Sequence, residues 1–299
     1  MRILVLGGTG YLGRHVAVRL RALPGARILA ADRSSTDGFG VDLAADPVER
    51  LAKTLAAAAP DAVVNCAGVT GGDPVTLAEV NARGPAVLCA ALREAAPTAR
   101  LVHLGSAAEY GPGVPGTPVT ESAPACPVTL YGATKLAGTV AITASALDAV
   151  VLRVGNPVGP GAPVASLPGR LASLLRTAGP NPEAVLRLGD LSAHRDFVDV
   201  RDVARAVVLA VTTPGPLPPV LNIGGGTAVA VGELAEGLAR RAGFSGRWEE
   251  NADGSARSAR VSWQCSDISA AARALGWRPA HTLDDALTAL WSATTEAMP

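Results

Sequence analysis

The sequence predicts an α/β fold, a doubly wound parallel sheet with a smaller mixed α/β lobe towards the C-terminus. Short apolar stretches alternate with longer helical stretches over residues 1–154, the pattern of parallel strands joined by right-handed helical crossovers. The apolar stretches contain almost no polar residues, as expected for strands covered by helices on both faces. Hydrophobic residues make up 48% of the 299 residues, enough for a large core and a smaller lobe.

The N-terminal part supplies most of the predicted sheet. A loop rich in Gly and Pro, residues 111–127, interrupts the alternation before its last helix. Near-continuous apolar runs predict the strands, and amphipathic runs predict the helices. The predicted strands cover residues 3–6, 27–31, 62–66, 101–104 and 149–154, and the predicted helices cover 11–22, 47–59, 75–95 and 130–147.

Beyond Gly155 the predicted elements become shorter and more mixed, which favours a separate lobe inserted between sheet elements. Residues 155–168 and 179–183 are predicted as loops, and the polar segment 251–262 is expected to be mobile. Predicted strands cover 197–200 and 220–223, and predicted helices cover 169–178, 203–211, 231–242, 268–275 and 283–291.

Composition excludes several functional classes. The formal net charge is zero and no basic stripe is present, so we expect no nucleic-acid partner. No apolar run reaches the roughly 20 residues of a membrane span, and the N-terminus does not resemble a signal peptide, so a cytoplasmic protein is expected. The four cysteines lack CxxC spacing and are expected to be buried thiols of a reducing compartment. The four histidines are scattered, so no metal site is predicted.

The first strand leads into a glycine-rich turn, Gly7-Gly8-Thr9-Gly10-Tyr11-Leu12-Gly13, which then opens a helix. This is a GxxGxxG variant of the dinucleotide-binding fingerprint. Glycine permits a tight turn and a close approach of backbone N–H groups to a pyrophosphate, while the helix N-terminus favours negative charge. The residues expected to contact the cofactor here are Gly7, Gly10, Tyr11, Leu12 and Gly13.

The residue after the second strand, Asp32, is placed to accept hydrogen bonds from an adenosine ribose, which favours NAD. The next residue, Arg33, could pair with a 2′-phosphate, which favours NADP. We expect NADP, with NAD as the alternative, because reductases usually draw on NADPH. Other residues expected near the cofactor are Asp42, Leu43, Cys66, Ala67 and Gly68.

Tyr131 and Lys135 are four residues apart on a predicted helix and therefore share a face. A free phenol, with a pKa near ~10, is a poor base at neutral pH, but a nearby ammonium stabilises its phenolate. Lys135 is one of only two lysines in the chain, so its position in this motif is unlikely to be accidental. Ser106, after the fourth strand, would hold the substrate oxygen. The three residues predict a catalytic set for hydride transfer, with Tyr131 exchanging the proton.

Taken together, these motifs resemble the extended short-chain dehydrogenases/reductases, specifically the NAD-dependent epimerase/dehydratase group that modifies nucleotide sugars. The resemblance extends over nearly the whole chain, and GSAAEYG with GDLSAHRDFVDVRDV look most like the GDP-4-keto-6-deoxymannose reductases and their 4,6-dehydratase relatives. The motifs that carry it are GGTGYLG, LGSAAEYG, YGATK, RVGNPVGPG, RDFVDVRDVARA, LNIGGG and LGWRPAHTLDDAL.

The resemblance also narrows the reaction. Family dehydratases carry an acidic residue soon after the serine or threonine, whereas Ser106 is followed by Ala107 and Ala108. Glu109 comes one position too late, so dehydration is disfavoured. We expect reduction of a keto-sugar, with C4 epimerisation next. A non-catalytic NAD(P)-sensing protein is the alternative of another class, although such proteins commonly lose the tyrosine or lysine.

For the substrate, the resemblance implies contacts from Ser106, Ala107 and Asn156 and a diphosphate grip by Arg195, for which a guanidinium suits. An ion pair of Arg195 with Asp196 or Asp199, or loop capping by Asn156, would be the structural alternatives. Arg260 could serve as a second phosphate ligand, but the Arg-Pro pair usual in the family is missing. A polyketide or another secondary-metabolite ketone therefore remains open as substrate, perhaps in an antibiotic pathway.

The resemblance implies two further properties of the chain. Residues 1–154 with about 195–224 would form the dinucleotide-binding domain, and about 155–194 with 225–299 the substrate-binding lobe. The predicted helices 75–95 and 130–147 carry many small residues, and the family analogue of this pair forms a four-helix interface. We therefore expect a homodimer.

Overall fold

The computed structural model describes residues 1–33, 39–250 and 261–296. Its strands are β1 (Arg2–Leu6), β2 (Arg27–Ala31), β3 (Ala62–Asn65), β4 (Arg100–Ser106), β5 (Ala149–Val154), β6 (Asn156–Val158), β7 (Val185–Leu188), β8 (His194–Asp199), β9 (Val220–Ile223), β10 (Ala228–Ala230) and β11 (Arg247–Glu250). Its α-helices are α1 (Tyr11–Arg21), α2 (Val48–Ala58), α3 (Pro74–Ala78), α4 (Gly84–Ala95), α5 (Leu130–Thr143), α6 (Leu167–Ala178), α7 (Val200–Thr212), α8 (Val231–Ala242), α9 (Ser269–Leu275) and α10 (Leu283–Glu296).

The main sheet has six strands in the order β2-β1-β3-β4-β5-β9, and every neighbouring pair is parallel. This confirms the predicted doubly wound α/β fold. The chain leaves β1 for β2 on one side and then returns to β3 on the other, so the strand order reverses between β1 and β3. In sheets of this type, ligands bind at the carboxyl ends of the strands beside such a reversal.

Helices cover both faces of this sheet. On one face, α1 and α7 pack against each other and bury Leu20 and Val207 on the sheet. On the other, α2, α4 and α5 pack side by side and bury Leu55 and Leu92. The apolar strand residues alternate between the two cores, which explains why the strands are apolar throughout.

The second lobe is built on a smaller core formed by α6, α8 and α10. Two small sheets border it, with strand orders β10-β8-β6 and β11-β7. The sequence missed β6, within a predicted loop, and also β7, β10 and β11. Each of these strands has only three or four residues, too few for an alternating pattern to stand out.

The predicted helix 75–95 is also interrupted, because a π-helical turn, Glu79–Arg83, separates α3 from α4. Pro85 cannot donate a backbone hydrogen bond, and Gly84 instead donates to the oxygen of Glu79 five residues back. The backbone oxygen of Asn81, in this wide turn, lies against Gly138 of α5, where a Cβ would collide with it. The wide turn thus brings the chain close to α5.

A search of the described helices for a long apolar stretch found none with the length and hydropathy needed to cross a membrane.

Candidate active site

A cavity of about 370 Å³ opens at the carboxyl ends of the main-sheet strands, between the sheet and the second lobe. Most of the residues predicted for chemistry and substrate binding line it together. They include Ser106, Tyr131, Lys135, Asn156 and Arg195, as well as Gly10, Tyr11, Leu12, Cys66, Ala67, Gly68 and Ala107.

The glycine turn after β1 is fixed by close backbone packing. Gly7 has φ +71°, and a Cβ there would lie 2.7 Å from the Cα of Ala67. A Cβ on Gly13 would collide with the backbone oxygen of Gly7, so only glycine lets α1 begin this close to β1. Gly10 is the N-cap of α1, and no described side chain caps it. The backbone N–H groups of the first helical turn thus suit an anion, and the residues present fit a dinucleotide pyrophosphate.

The predicted adenosine contacts lie towards the β2 end of the sheet, outside the cavity lining. Asp32 follows β2, and its backbone oxygen accepts a hydrogen bond of 3.2 Å from Val41. Arg33 is exposed. Asp42 binds the backbone N–H of Ala44 at 3.0 Å through its carboxylate. Leu43 is 5% exposed and belongs to the core.

Lys135 is buried beneath the cavity on α5, and its Nζ donates a hydrogen bond of 2.5 Å to the backbone oxygen of Leu104. Burial lowers the pKa of Lys135 to about 8, against the opposing effects of Glu109 and Cys66, which favour the ammonium. Thr129 caps this helix through a hydrogen bond from Gly132 to its hydroxyl at 3.2 Å, which fixes the first turn where Tyr131 lies.

Ser106 ends β4 and begins a short 3₁₀ turn, Ala107–Glu109. Its hydroxyl oxygen accepts a hydrogen bond of 3.2 Å from the backbone N–H of Ala108. The Glu109 carboxylate accepts the backbone N–H of Ser106 at 2.7 Å, which completes a capping box. Sequence reasoning missed this role, although Ser-x-x-Glu is a recognisable signal for it.

The segment after β3 forms the wall of the cavity beside Lys135. Burial raises the pKa of the Cys66 thiol to about 12, with Lys135 acting in the opposite direction. A Cβ on Gly68 would lie 3.4 Å from Asn81 Oδ1 and 3.8 Å from Lys135 Nζ, so there is little room for a side chain. The expectation of buried thiols holds for Cys89 and Cys265, whereas Cys126 is exposed.

Asn81 is a further residue of this wall that sequence reasoning missed. Its Oδ1 accepts the backbone N–H of Val69 at 3.1 Å, and its Nδ2 donates to the oxygen of Val69 at 2.9 Å. Nδ2 also lies 3.3 Å from the hydroxyl of Thr134, next to Lys135. The asparagine thus clamps the loop after β3 against α5.

Arg195 and Asn156 line the opposite side of the cavity. Arg195 is 7% exposed, and its Nη1 donates to the backbone oxygen of His194 at 2.8 Å. Burial lowers the pKa of Arg195, with Asp190 acting in the opposite direction. The Asn156 amide donates to the backbone oxygen of Asp196 at 3.3 Å, an interaction of the capping kind considered from the sequence.

The alternative ion pairs of Arg195 are absent from the described part of the chain, because both aspartates have other partners. Asp196 accepts the backbone N–H groups of Gly226 and Ser266, each at 3.0 Å. Asp199 caps α7 by accepting the N–H of Arg201 at 2.7 Å, and the two side chains form an ion pair at 2.6 Å. The guanidinium of Arg195 therefore faces a cavity rather than a carboxylate.

The last predicted substrate residue, Arg260, and most of the polar segment 251–262 lie outside the described residues. The chain that follows reaches the cavity through Val261 and Gln264. Gln264 Nε2 donates to the backbone oxygen of Ala107 at 2.7 Å, a link between the second lobe and the 3₁₀ turn that the sequence did not reveal. Within the described ranges, no three His, Cys, Asp or Glu side chains are grouped as metal ligands.

Known proteins share this arrangement. The model of the NAD dependent epimerase/dehydratase family matches residues 3–224. The dTDP-6-deoxy-L-talose 4-dehydrogenase (NAD(P)(+)) of Kitasatospora kifunensis is 38% identical, over 99% of this chain and 96% of that protein. The GDP-6-deoxy-D-mannose reductase of Pseudomonas aeruginosa is 27% identical, over 80% of this chain and 79% of that protein.

Solved structures agree with this result. The structure of MoeE5 in complex with UDP-glucuronic acid and NAD has a TM-score of 0.86 and 26% identity, and the match covers 100% of both chains. A family model covering most of the chain, a relative matched end to end and a fold with the same dinucleotide turn lead to one assignment. The protein is an NAD(P)-dependent enzyme of the NAD-dependent epimerase/dehydratase family, among the extended short-chain dehydrogenases/reductases.

Proposed function

We propose that this enzyme reduces a nucleotide-linked 4-keto-6-deoxyhexose with NADPH. The observation that carries the proposal is the shared cavity of Ser106, Tyr131 and Lys135, together with the locked carboxylate of Glu109. The first three residues suffice for reduction of a ketone. A dehydratase would also need an acid that can reach the substrate, and Glu109 is 0% exposed with both oxygens engaged.

In the proposed reaction, the bound nicotinamide supplies the hydride that adds to the carbonyl carbon. Tyr131 donates its phenolic proton to the carbonyl oxygen, which gives the alcohol, and the phenolate regains a proton from solvent. The Lys135 ammonium stabilises that phenolate and also reaches the nicotinamide ribose. Ser106 donates its hydroxyl hydrogen to the same substrate oxygen, since its own oxygen already accepts the N–H of Ala108.

The cofactor assignment rests on the residues around the glycine turn and β2. In this proposal the pyrophosphate lies on Gly10, Tyr11 and Leu12, where α1 begins. Asp32 binds the adenosine ribose, Arg33 binds the 2′-phosphate of NADP, and Asp42 and Leu43 lie near adenine. Residues 1–154 and about 195–224 form the dinucleotide half in this division of the chain, although β8 itself pairs with β6 and β10.

The substrate assignment combines the cavity with the chemistry of the relatives. Arg195 would bind the diphosphate in a bidentate manner, with Asn156 and Ala107 beside the sugar and Arg260 as a second cationic ligand. Oxidation of the C4 hydroxyl of a 6-deoxyhexose is the reverse of reducing the 4-keto sugar. The talose dehydrogenase at 38% identity therefore makes a dTDP-linked sugar the first substrate to test.

Epimerisation at C4 is the second candidate, because oxidation followed by reduction on the other face uses the same three residues. The NAD complex of MoeE5, at a TM-score of 0.86, favours it. The two functions differ in their cofactor cycle. A recycling epimerase retains its cofactor between the two steps, whereas a reductase must release NADP⁺ after every turnover.

The deciding experiment mixes purified enzyme, NADPH and a dTDP-linked 4-keto-6-deoxyhexose, with the GDP-linked sugar and a ketone without a nucleotide as comparators. Reductase activity predicts stoichiometric loss of NADPH absorbance and a C4 hydroxyl in the product by NMR. Copurified NAD, with two C4 epimers formed and no net NADPH consumption, would replace reduction by epimerisation. Oxidation of NADPH with the ketone alone would remove the nucleotide from the proposal.

We further propose a homodimer built from α3, α4 and α5. Val75 at the start of α3 is 63% exposed and Val140 in α5 is 55% exposed. A second copy packed on these helices would bury both side chains, which is favourable at roughly 25 cal/mol for each Å² of apolar surface. Light scattering of the purified protein tests it, since a monomer at micromolar concentration would contradict the proposal.

A further inference from the structure

Glu109 is the buried carboxylate that joins three parts of the catalytic framework. One oxygen, Oε1, accepts the backbone N–H of Ser106 at 2.7 Å. The other, Oε2, accepts the hydroxyl of Thr139 at 2.9 Å and Nε of Arg153 at 2.7 Å. These partners belong to the end of β4, to α5 and to β5. One side chain therefore ties the serine strand to the helix that carries Tyr131 and Lys135.

The contact with Ser106 fixes the direction of the serine hydroxyl. Ser106 has extended backbone angles, φ −146° and ψ 141°, as the N-cap of the 3₁₀ turn. Within the capping box, its oxygen receives the N–H of Ala108 and its own N–H is held by Glu109. Because the oxygen is already an acceptor, the hydroxyl hydrogen is left to point into the cavity.

The contact with Thr139 fixes the helix. Thr139 lies four residues after Lys135, on the same face of α5. Both side chains are buried against the sheet. The Glu109 carboxylate also favours the charged form of Lys135, and so opposes the burial that lowers the pKa of that lysine.

We propose that Glu109 is a positioning residue, which holds Ser106 and α5 in the relative placement that lets the serine hydroxyl and the Tyr131 phenol address one substrate oxygen. The inference rests on the proposed function, because only a reaction at a substrate oxygen requires that alignment. Since Glu109 has 0% exposure and touches no cavity, it acts through Ser106 and α5 rather than on the substrate.

A simpler role is that Glu109 only neutralises Arg153. That guanidinium is buried, and it stacks on the ring of Tyr110 at 4.4 Å from the ring centroid. Loss of one partner of a buried ion pair leaves an uncompensated charge, which destabilises a protein strongly. The test must therefore separate the effect on Arg153 from the effect on Ser106.

The experiment compares Glu109→Gln, Glu109→Gln/Arg153→Met and Ser106→Ala, alone and combined. We expect Glu109→Gln to lower kcat by about 10- to 100-fold, the effect of a misplacement near 1 Å, with the affinity for NADPH unchanged. The double variant without both charges should regain thermal stability but not kcat. In the Ser106→Ala background, Glu109→Gln should cause little further loss, because both changes disable the same hydroxyl.

Amide hydrogen exchange supplies a readout that does not depend on activity. The N–H of Ser106 should exchange slowly in the native enzyme and much faster in Glu109→Gln. Glu121→Gln is the matched control, since Glu121 likewise accepts a backbone N–H, that of Asn222 at 2.8 Å, but not in the 3₁₀ turn. Its kcat and the exchange of residues 104–110 should match those of the native enzyme.

Native kcat in Glu109→Gln, or recovery of kcat in the charge-free double variant, would overturn the proposal. Unchanged exchange at Ser106 in Glu109→Gln would overturn it as well. If the native enzyme reduces none of the keto-sugars, the proposed function fails by itself. The exchange result then decides alone whether Glu109 fixes Ser106.

Discussion

The Nζ of Lys135 donates a 2.5 Å hydrogen bond to the backbone oxygen of Leu104, two residues before Ser106 on the same strand. The ammonium is therefore anchored to β4 from below while its helix presents Tyr131 to the cavity. Burial lowers the pKa of Lys135 to about 8, so its charge changes within an accessible pH range.

This geometry predicts an alkaline limit to activity. The ammonium stabilises the Tyr131 phenolate, so kcat/KM should fall as the pH rises through about 8, the pKa of Lys135. Neighbouring Cys66 does not titrate there, because its pKa is raised to about 12, and His103 is neutral because burial lowers its pKa well below 6.5. The limb then belongs to Lys135 coupled with Tyr131 and the Glu109 charge. A pH profile of kcat/KM with the free enzyme measures it.

The accompanying stability should change in the opposite direction. The unfolded lysine has a pKa of 10.5, so between about pH 8 and 10.5 the unfolded chain binds more protons than the folded one. The contribution of Lys135 to the free energy of unfolding therefore rises with pH across this window. Thermal unfolding measured over the same range separates the two effects. Parallel losses of activity and Tm would assign the alkaline limit to denaturation.

The proton-transfer role of Tyr131 predicts a selective loss of turnover. Tyr131→Phe keeps the ring but removes the proton donor, so kcat should drop by roughly 10²- to 10⁴-fold. Cofactor affinity should stay close to native, because the pyrophosphate is expected on the glycine turn. Steady-state kinetics and NADPH fluorescence titration measure the two quantities, and full activity of the variant would contradict the acid–base assignment.

The features that could be predicted from the sequence are local ones. The apolar strands, the glycine turn and the Tyr131-x-x-x-Lys135 pair each lie within a short segment, so periodicity and spacing were sufficient to find them. The fold class and the family followed from these and were confirmed. Even the interrupted helix had a local signal, because Gly84 is followed by a proline that cannot continue the hydrogen-bond ladder.

The features that were missed depend on distant partners. Glu109 was treated as a misplaced acid, whereas its role depends on Thr139 and Arg153, which lie 30 and 44 residues further along the chain. Gln264 binds Ala107 across 157 residues. Such pairs form only when β4, β5 and the second lobe have assembled, and a single sequence contains no pattern for them.

The packing of the glycine turn predicts different costs for two neighbouring glycines. A Cβ on Gly13 would collide with the backbone oxygen of Gly7, whereas a Cβ on Gly8 would meet nothing closer than 3.7 Å. Gly13→Ala should therefore lower the free energy of unfolding by about 1–3 kcal/mol, as overpacking of a core does. Gly8→Ala is the matched control. Thermal or urea unfolding compares them, and equal stabilities would show that α1 can move away from β1.

The unpaired cation in the cavity predicts selectivity for a diphosphate. Arg195→Lys keeps the charge but loses the planar fork, so KM for the nucleotide sugar should rise by about tenfold, the factor for a loss near 1.4 kcal/mol. Calorimetric binding of dTDP should weaken in parallel. Arg187→Lys is the matched control, since Arg187 is 68% exposed and pairs with Glu249. Equal dTDP affinity in both variants would remove Arg195 from the diphosphate site.

The adjacent Asp32 and Arg33 predict which nicotinamide cofactor the enzyme prefers. Arg33 is exposed at the end of β2, where a 2′-phosphate could pair with its guanidinium without the cost of burying either charge. Arg33→Ala should therefore raise KM for NADPH more than KM for NADH, whereas Asp32→Asn should impair NADH more. Because an exposed pair is screened, the NADPH preference should also weaken with added salt. Steady-state kinetics with both cofactors at two ionic strengths test this. An equal response of the two cofactors to Arg33→Ala would exclude the arginine from cofactor choice and leave Asp32 with NAD as the better assignment.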